Sequence, residues 1–306
     1  MQKNLTHKQF FSFILNVGIN TYGTKSIKSL KSLIYFFFAA YRNRSDTSKF
    51  LNRISNINGL EINSNKLGVI DWPYINNAWN IHTKLDKIAS HYEIIQQLKP
   101  SLIFDKDNPS YEVINFDYIS KGVAVRIDQA QWFVREGELV INIFKEDLRV
   151  ASIAFTIGVY HEILVAYIGA IQGIHQGVPS DESLEIYRTL TKDFEGLRPR
   201  SLLLEVLKVV LGKLKIKKMF AVSDKSRHHR HAYFGTDEHT IFKADYDTIW
   251  EEHNGVLDTE TGFYELPITL AIKVISEIPS KKRSMYKKRY EILHSLHDNI
   301  FINQTS

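Results

Sequence analysis

Residues 121–145, KGVAVRIDQAQWFVREGELVINIFK, contain the pattern that decides the fold. Val123, Val125 and Ile127 alternate with small or charged residues, as the side chains of a half-buried strand do. Short runs of β-branched and aromatic residues surround this stretch, with only a few turn-forming residues between one run and the next. Gaps this short permit only antiparallel neighbours. The sequence therefore predicts a meander with strands at 111–117, 121–135, 138–145, 148–158 and 163–172.

Helical patterns flank the meander on both sides. Apolar residues recur there at the three- or four-residue spacing of amphipathic helices, and the predicted helices before it cover 6–22, 26–42, 46–56 and 76–98. After it we predict helices at 181–194 and 199–214, a strand at 217–222, a helix at 245–253, a turn at 255–262 and a basic helix at 281–299. The predicted fold class is α+β: N-terminal helices, then a mainly antiparallel meander sheet, then helix–strand–helix.

Composition limits the chemistry that the chain can perform. Its 306 residues are 44% hydrophobic, which is enough for a folded core, and none of them is cysteine. A disulfide framework, an iron–sulfur cluster, a thiolate zinc site and a cysteine nucleophile are therefore excluded. The polar stretch 56–65 is the candidate boundary between a basic helical N-terminal region, 1–60, and an α+β domain, 61–306.

Positive charge is concentrated in the first 60 residues. They hold nine basic residues and one acidic residue, a net charge of +8, so the remainder carries −3 of the total of +5. Aromatic residues are interleaved with this charge, which fits either a solvated helix face over a core stripe or contact with an anionic membrane or nucleic acid. The longest apolar run, 33–40, is too short to span a bilayer. We predict a cytoplasmic protein, with peripheral contact at the inner membrane left open and no nucleic-acid partner.

The start of the second predicted C-terminal helix is the strongest candidate site. Gly196-Leu-Arg-Pro-Arg200 sets Arg198 and Arg200 on either side of Pro199, which suits a first helical turn. Free N–H groups and a partial positive charge at a helix start attract phosphate or carboxylate. The alternative is that the two arginines pair with Asp193 and Glu195. Just upstream, Gln172 and Gly173 end a predicted strand, where a ligand could approach or a bulge could form.

A histidine-rich segment follows the strand predicted at 217–222. His228, His229, His231 and His239 could hold a metal ion, but Arg227 and Arg230 lie among them and oppose a divalent cation. We therefore predict a solvated or anion-binding basic loop rather than a metal site, with Arg227 and His228 as the candidate ligands to an anion. Asp224 and Glu251 are candidate general bases. A serine hydrolase is not expected, because the chain has no Gly-x-Ser-x-Gly elbow.

Several motifs, in this order and spacing, resemble the VirK/YbjX family of Gram-negative bacteria. They include Ile168-Gly-Ala-Ile-Gln-Gly173, Leu190-Thr-Lys192, Gly196-Leu-Arg-Pro-Arg200, Val222-Ser-Asp224, Tyr246-Asp247 with Trp250-Glu251, Gly262-Phe-Tyr-Glu-Leu-Pro267 and Ile278-Pro-Ser-Lys-Lys-Arg283. The resemblance covers roughly 60–298 and implies roles in envelope integrity, virulence and resistance to cationic antimicrobial peptides. It implies no particular reaction.

A weaker similarity links the meander–helix–strand order to the acyl-CoA-binding core of GNAT-type acyltransferases. In those folds the pyrophosphate sits on a glycine-rich loop before the helix, whereas this chain has only Gly196 there and Pro199 lacks an N–H. Three hypotheses follow: an envelope-associated accessory protein, an acyltransferase in which Arg198 and Arg200 hold an anionic donor such as acyl-CoA, and a non-catalytic membrane-peripheral module. The sequence does not indicate an oligomeric state.

Overall fold

The computed structural model describes residues 6–60, 64–105, 107–235 and 245–300. Along the chain, helices come both before the first strand of the sheet and after its fifth strand. The N-terminal helices are α1 (His7–Tyr22), α2 (Ile27–Arg42), α3 (Arg44–Ile54), α4 (Ser64–Gly68) and α5 (Ile81–Leu98). The C-terminal helices are α6 (Ser180–Asp193), α7 (Pro199–Lys213), α8 (Tyr246–Glu252) and α9 (Arg283–Asn299). Short 3₁₀ turns connect several of these elements.

The described residues form an eight-stranded sheet. Its strands are β1 (Ser110–Asn115), β2 (Val123–Gln129), β3 (Leu139–Lys145), β4 (Leu148–Tyr160), β5 (Ile163–Gln172), β6 (Lys218–Val222), β7 (Val256–Asp258) and β8 (Phe263–Leu266). The spatial order is β1-β2-β3-β4-β5-β6-β8-β7, and every neighbouring pair is antiparallel except β5 and β6. The predicted α+β class with its meander is therefore confirmed.

Three predicted boundaries differ from the observed ones for local reasons. The helix predicted at 76–98 begins at Ile81, because the Asn80 side chain accepts a hydrogen bond from the backbone N–H of Thr83 and so caps the helix. The strand predicted at 121–135 ends at Gln129, where its register with β3 also ends. The segment predicted as a turn at 255–262 contributes β7, which pairs with β8.

The middle of the sheet is covered on both faces. Residues 150–158 of β4 are all buried although successive side chains point to opposite faces, and both α5 and α7 contact this strand. In α7, every residue from Leu202 to Leu211 is buried, so the core holds this helix in place. Phe10 and Ile14 of α1 join the same buried cluster as the sheet. The domain boundary near residue 60 stays a prediction.

The two parallel strands separate near their ends. Pairing between β5 and β6 covers Val165–Ile168 and Lys218–Ala221, whereas β5 itself continues to Gln172. Beyond the paired region, the backbone N–H of Ile171 donates a hydrogen bond of 3.0 Å to the hydroxyl of Tyr246. The end of β5 is therefore joined to the side chain of a helix, and this end leads towards the start of α7.

Candidate functional site

A cleft of ≈ 730 Å³ opens at the start of α7. Helices α6 and α8 contribute to its walls, and α9 adds one side chain. The lining combines apolar side chains with a group of basic ones. The apolar group includes Leu184, Tyr187, Ile249 and Met285, and the basic group is Arg188, Lys192, Arg198 and Arg200. Two acidic residues, Glu195 and Glu252, also line the cleft, so its charged side chains sum to a positive charge.

The first turn of α7 adds backbone donors to this positive charge. Arg198 is the N-cap residue and makes no side-chain capping hydrogen bond, and Pro199 is the first helical residue. Because the first N–H groups of a helix have no acceptor within it, the N–H groups of Arg200 and Ser201 are available at the cleft. The partial positive charge of a helix start acts at the same place. An anionic group is therefore favoured there.

The two arginines differ in how firmly they are held. The Arg198 side chain is 74% exposed, and its Nη1 lies 3.8 Å from Glu252 Oε2, a loose ion pair. Arg200 is half-buried, and its buried Nε has no hydrogen-bond partner among the described residues. Arg200 is thus the better-positioned ligand for an anion, and Arg198 is free to move towards one.

Gly173 leaves the space that Arg200 occupies. A Cβ atom at Gly173 would lie 2.8 Å from Arg200 Nη2 and 2.1 Å from the hydroxyl of Tyr187. Its neighbour Gln172 is exposed at the end of β5. Gly196, in the turn between α6 and α7, has a φ of 81°, which favours glycine. The structure therefore brings Gly173, Gly196 and both arginines to one place.

A serine–histidine pair in the cleft was not found from the sequence. His253 Nε2 lies 3.3 Å from Ser201 Oγ. Burial, with a contribution from the charge of Lys208, lowers the pKa of His253 to about 4. The imidazole is therefore neutral at pH 7 and can accept a proton. No sequence signal joins these two residues, because His253 follows the end of α8 and Ser201 lies in α7.

The other predicted site residues lie outside the lining of the cleft. Arg227 Nη1 donates a hydrogen bond of 3.1 Å to Asp224 Oδ1, and its guanidinium lies 3.8 Å from the centre of the Tyr246 ring. His228 is buried close by in the 3₁₀ turn His228–Arg230. Glu251 is exposed and accepts a hydrogen bond of 3.3 Å from the hydroxyl of Tyr264. The roles of Asp224 and Glu251 as bases stay predictions, and His239 lies outside the described residues.

Tyr246 connects this second cluster with the cleft. It is fully buried, and burial raises its pKa, with Glu136 adding to the rise. The positive charges of Arg227 and Arg200 act on its pKa in the opposite direction. The pKa of the Tyr246 hydroxyl thus depends on an arginine of the cleft, an arginine of the histidine segment and a carboxylate from the loop before β3. Glu136 and Tyr246 were not predicted as site residues.

None of the described helices combines the length and the apolar character that a membrane crossing requires.

Comparisons with known proteins identify relatives whose chemistry is not described. The Escherichia coli (strain K12) "Uncharacterized protein YbjX" is 34% identical over 164 residues, which are 53% of this chain and 48% of that protein. Two proteins of Haemophilus influenzae, each described as "Uncharacterized protein", are 29% identical over 162 residues and 35% identical over 121 residues. These alignments cover 53% and 40% of this chain, and 51% and 39% of the Haemophilus proteins. The chain thus spans about half the length, or less, of these relatives, and no solved structure matches it.

A family match covers most of the chain. The family described as "Protein of unknown function (DUF535)" matches residues 25–301, a range that includes the cleft, the histidine segment and the whole sheet. This match and the similarity to YbjX confirm the resemblance that the sequence motifs indicated. The chain belongs to the DUF535 family.

Proposed function

We propose that the cleft at the start of α7 binds an anionic acyl donor of the acyl-CoA type, and that the protein transfers the acyl group to a component of the cell envelope. The observation that carries the proposal is the pairing of Arg198 and Arg200 at a helix start with an apolar wall in one cleft. Arginine and backbone N–H groups suit phosphate, and the apolar side chains suit an acyl or pantetheine chain. Small-molecule sites commonly combine these two kinds of surface.

His253 is the group best suited to act as the base. In the proposed step, a hydroxyl or amine of the acceptor attacks the thioester carbonyl carbon. A C–O or C–N bond forms, the C–S bond breaks, and the proton of the acceptor passes to His253 and then to the departing thiolate. The imidazole of His253 is neutral near pH 7 and has a free lone pair, and its lowered pKa makes it a weaker base than an exposed histidine. The contact with Ser201 orients the ring.

The acceptor is proposed from the family resemblance. The resemblance to the VirK/YbjX family implies roles in envelope integrity, virulence and resistance to cationic antimicrobial peptides. Acylation of a lipid, glycan or peptide of the envelope would connect the cleft to those roles. The protein would then act in the cytoplasm, at the inner membrane.

Thermal unfolding in the presence of donors tests the cleft. Coenzyme A, acetyl-CoA and a long-chain acyl-CoA are added to the full chain, and we expect a stabilisation of about 2.7 kcal/mol at a ligand concentration of 100 times Kd. Arg198→Ala with Arg200→Ala should abolish the rise in Tm. The matched control, Lys213→Ala with Lys217→Ala, removes two positive charges at the other end of α7 and should keep the rise. No rise for any donor, or an equal rise in both double variants, would reject the donor site.

A second candidate function, binding at a membrane surface, is favoured by the exposed face of α2. Apolar side chains at helical spacing lie on this face, and they are 43 to 76% exposed: Ile27, Leu30, Ile34, Phe38 and Tyr41. Lys28 and Lys31 are exposed on the same helix. An amphipathic helix with exposed apolar and basic residues suits an anionic lipid surface. The apolar surface would enter the headgroup region, and the lysines would meet the lipid phosphates.

Co-sedimentation with vesicles tests this second candidate. Binding to vesicles that contain phosphatidylglycerol should exceed binding to phosphatidylcholine vesicles and should weaken with salt. Ile34→Ser with Phe38→Ser should reduce it, whereas Val256→Ser with Val274→Ser, which also removes two exposed apolar side chains, should not. Equal binding by both double variants would exclude α2 as the lipid-binding face.

A further inference from the structure

Outside the cleft, Glu136, His228 and His229 meet in a cluster. Each offers one potential ligand atom, and these atoms all lie within 4.8 Å of one another. Glu136 belongs to the loop before β3, and the two histidines begin the 3₁₀ turn His228–Arg230, which lies between β6 and α8. His229 Nε2 lies 3.6 Å from Glu136 Oε1. The cluster thus joins two segments that are 92 positions apart in the sequence.

The backbone of Ile75 holds the two segments together. Its N–H donates a hydrogen bond of 2.7 Å to the carbonyl of Arg135, and its carbonyl accepts one of 3.0 Å from the N–H of His228. Asn76 forms a β-bridge with Arg227 immediately beside this contact. The position of the cluster is therefore fixed by main-chain bonds on both sides, which is the rigidity that a ligand site requires.

Two of the three side chains are buried with an atom left unsatisfied. Glu136 is 5% exposed and His228 is 2% exposed. Glu136 Oε1 and His228 Nδ1 are buried and have no hydrogen-bond partner among residues 6–60, 64–105, 107–235 and 245–300. Buried polar atoms are normally paired, so two such atoms in one cluster indicate that something else completes it.

The identity of the unsatisfied atoms favours a cation over an anion. A carboxylate oxygen only accepts hydrogen bonds and carries negative charge, so Glu136 would repel an anion. The other unsatisfied atom is Nδ1 of the buried His228, and a neutral imidazole nitrogen offers its lone pair to a metal ion. One carboxylate and two imidazoles form a ligand set typical of zinc and related transition metals.

The neighbouring arginines oppose a cation, and Arg135 Nε is also buried without a hydrogen-bond partner among the described residues, but both guanidinium groups contact side chains outside the cluster. The guanidinium of Arg135 stacks on Trp72 at 4.6 Å from the ring centre, and Arg227 is paired with Asp224. Their charges lower the affinity for a divalent ion without blocking its ligands. Zinc ligands at about 2.0–2.1 Å lie roughly 3.3 Å apart in a tetrahedral site, so binding an ion would require the three side chains to approach one another by about 1 Å.

We propose that Glu136, His228 and His229 bind one divalent transition-metal ion of the zinc class. Three protein ligands leave one coordination position for water or for another group, as in catalytic zinc sites. The proposal differs from the sequence-based prediction of no metal site, because the sequence showed the histidines and their arginine neighbours but not Glu136. It is also independent of the proposed acyl-donor cleft, since none of the three residues lines that cleft.

Calorimetric titration with Zn²⁺ tests the site. The full chain, without a histidine tag and treated with a chelator, should bind one Zn²⁺ per chain and show a higher Tm with the metal bound. Glu136→Gln and His229→Gln should each weaken the affinity at least tenfold. The His229 side chain is 31% exposed, so its variant should fold even if changes at the buried residues do not.

His294→Gln provides the matched control, because it removes an exposed histidine on α9 and should leave binding unchanged. The chain has 12 histidines, so weak surface binding must be separated from a built site. The proposal is overturned if the wild-type chain shows no saturable binding, or if Glu136→Gln and His229→Gln bind Zn²⁺ as tightly as the His294→Gln control. A tenfold loss confined to the two cluster variants supports it.

Discussion

Glu136 and Glu138 lie on either side of Gly137 and are buried almost equally, yet their surroundings are opposite. Glu138 accepts hydrogen bonds on both oxygens, from the hydroxyl of Tyr74 at 3.0 Å and from the hydroxyl of Tyr92 at 2.6 Å. Glu136 Oε1 has no such bond among the described residues. Burial is therefore a poor guide to the role of a carboxylate. Whether its oxygens are already satisfied distinguishes a structural network from a site that can take a ligand.

The network around Glu138 ties the N-terminal helices to the sheet. Lys66 Nζ lies 3.8 Å from Glu138 Oε2, and it donates a hydrogen bond of 2.6 Å to Tyr92 on α5. Tyr74 also contacts Thr156 on β4 at 2.6 Å. Burial raises the pKa of Glu138, whereas Lys66, Tyr92 and Tyr74 act to lower it. The contacts oppose this rise in pKa, and they join α4 and α5 to the start of β3.

The largest expected effect is therefore the loss of stability in Glu138→Gln. The substitution keeps the shape of the side chain but removes the negative charge that faces Lys66, and breaking a buried pair in this way costs about 3–5 kcal/mol. Urea unfolding at pH 7 measures the free energy of unfolding. Glu265→Gln removes a half-exposed carboxylate that pairs with Lys218 and should cost at most about 1 kcal/mol. Equal losses in the two variants would show that the Glu138 network is not structural.

The next effect is a loss of stability in acid, centred on His91. This buried histidine accepts a hydrogen bond from the N–H of Ile157, and burial, with the charge of Lys66 adding to it, lowers its pKa to about 3. Its folded-state pKa lies below the unfolded value of about 6.5, so the unfolded state binds the proton more readily. Stability is then complete above about pH 6.5 and decreases as the pH falls towards 3, by about 2 kcal/mol at pH 5.

Denaturant unfolding between pH 7.5 and 4.5 measures this dependence. His253 behaves in the same direction, because its pKa is lowered to about 4. His91→Gln should flatten part of the curve, whereas His82→Gln, which changes a histidine whose side chain is 69% exposed, should leave it unchanged. An unaltered slope in His91→Gln would mean that His91 is not the group that titrates.

A smaller effect is expected at the outer member of the network. Thr156 Oγ1 contacts the hydroxyl of Tyr74 and accepts a hydrogen bond of 3.1 Å from the N–H of Glu138. Thr156→Val keeps the shape and removes both contacts, which should cost about 0.5–1.5 kcal/mol, because the Tyr74 hydroxyl and the Glu138 N–H each keep a second acceptor, Glu138 Oε1 and the Phe155 carbonyl. The measurement is again urea unfolding. A coupling energy near zero in the double variant with Glu138→Gln would contradict the network, since residues in one network are expected to couple.

Local patterns account for most of what the sequence predicted. The alternation of apolar and polar residues identified the meander, and the helical spacing of leucines after Pro199 identified α7. Gly196, Arg198 and Arg200 could be placed together because they are nearly consecutive. Neither the Ser201–His253 pair nor the Glu136–His228 cluster has such a signal, because each joins segments that meet only when β6 pairs beside β5 and the loops fold over its end. Non-local contacts of this kind carry no periodicity.

The same limit explains why the two glutamates could not be told apart. Glu136 and Glu138 lie where the sequence predicts the change from one strand to the next, and the structure places both in the loop between β2 and β3. Tyr74, Tyr92 and Lys66, which satisfy Glu138, come from a segment at least 46 positions earlier. The residues near Glu136 come from a segment about twice as far away in the other direction. Only the folded structure shows which of the two carboxylates accepts hydrogen bonds on both oxygens.

The smallest expected effect, that of Glu136→Gln, is the most direct test of the difference between Glu136 and Glu138. Glu136→Gln, measured in chelator without metal, should change the free energy of unfolding by less than about 1 kcal/mol, because it removes a buried charge whose Oε1 has no hydrogen bond to lose. The same substitution two positions later, Glu138→Gln, is expected to cost at least three times as much. Their difference in urea unfolding is the quantity of interest, since the two variants share chemistry, backbone context and burial. If Glu136→Gln destabilises the metal-free protein as strongly as Glu138→Gln, then Glu136 already has structural partners, and the proposed cation site loses its basis.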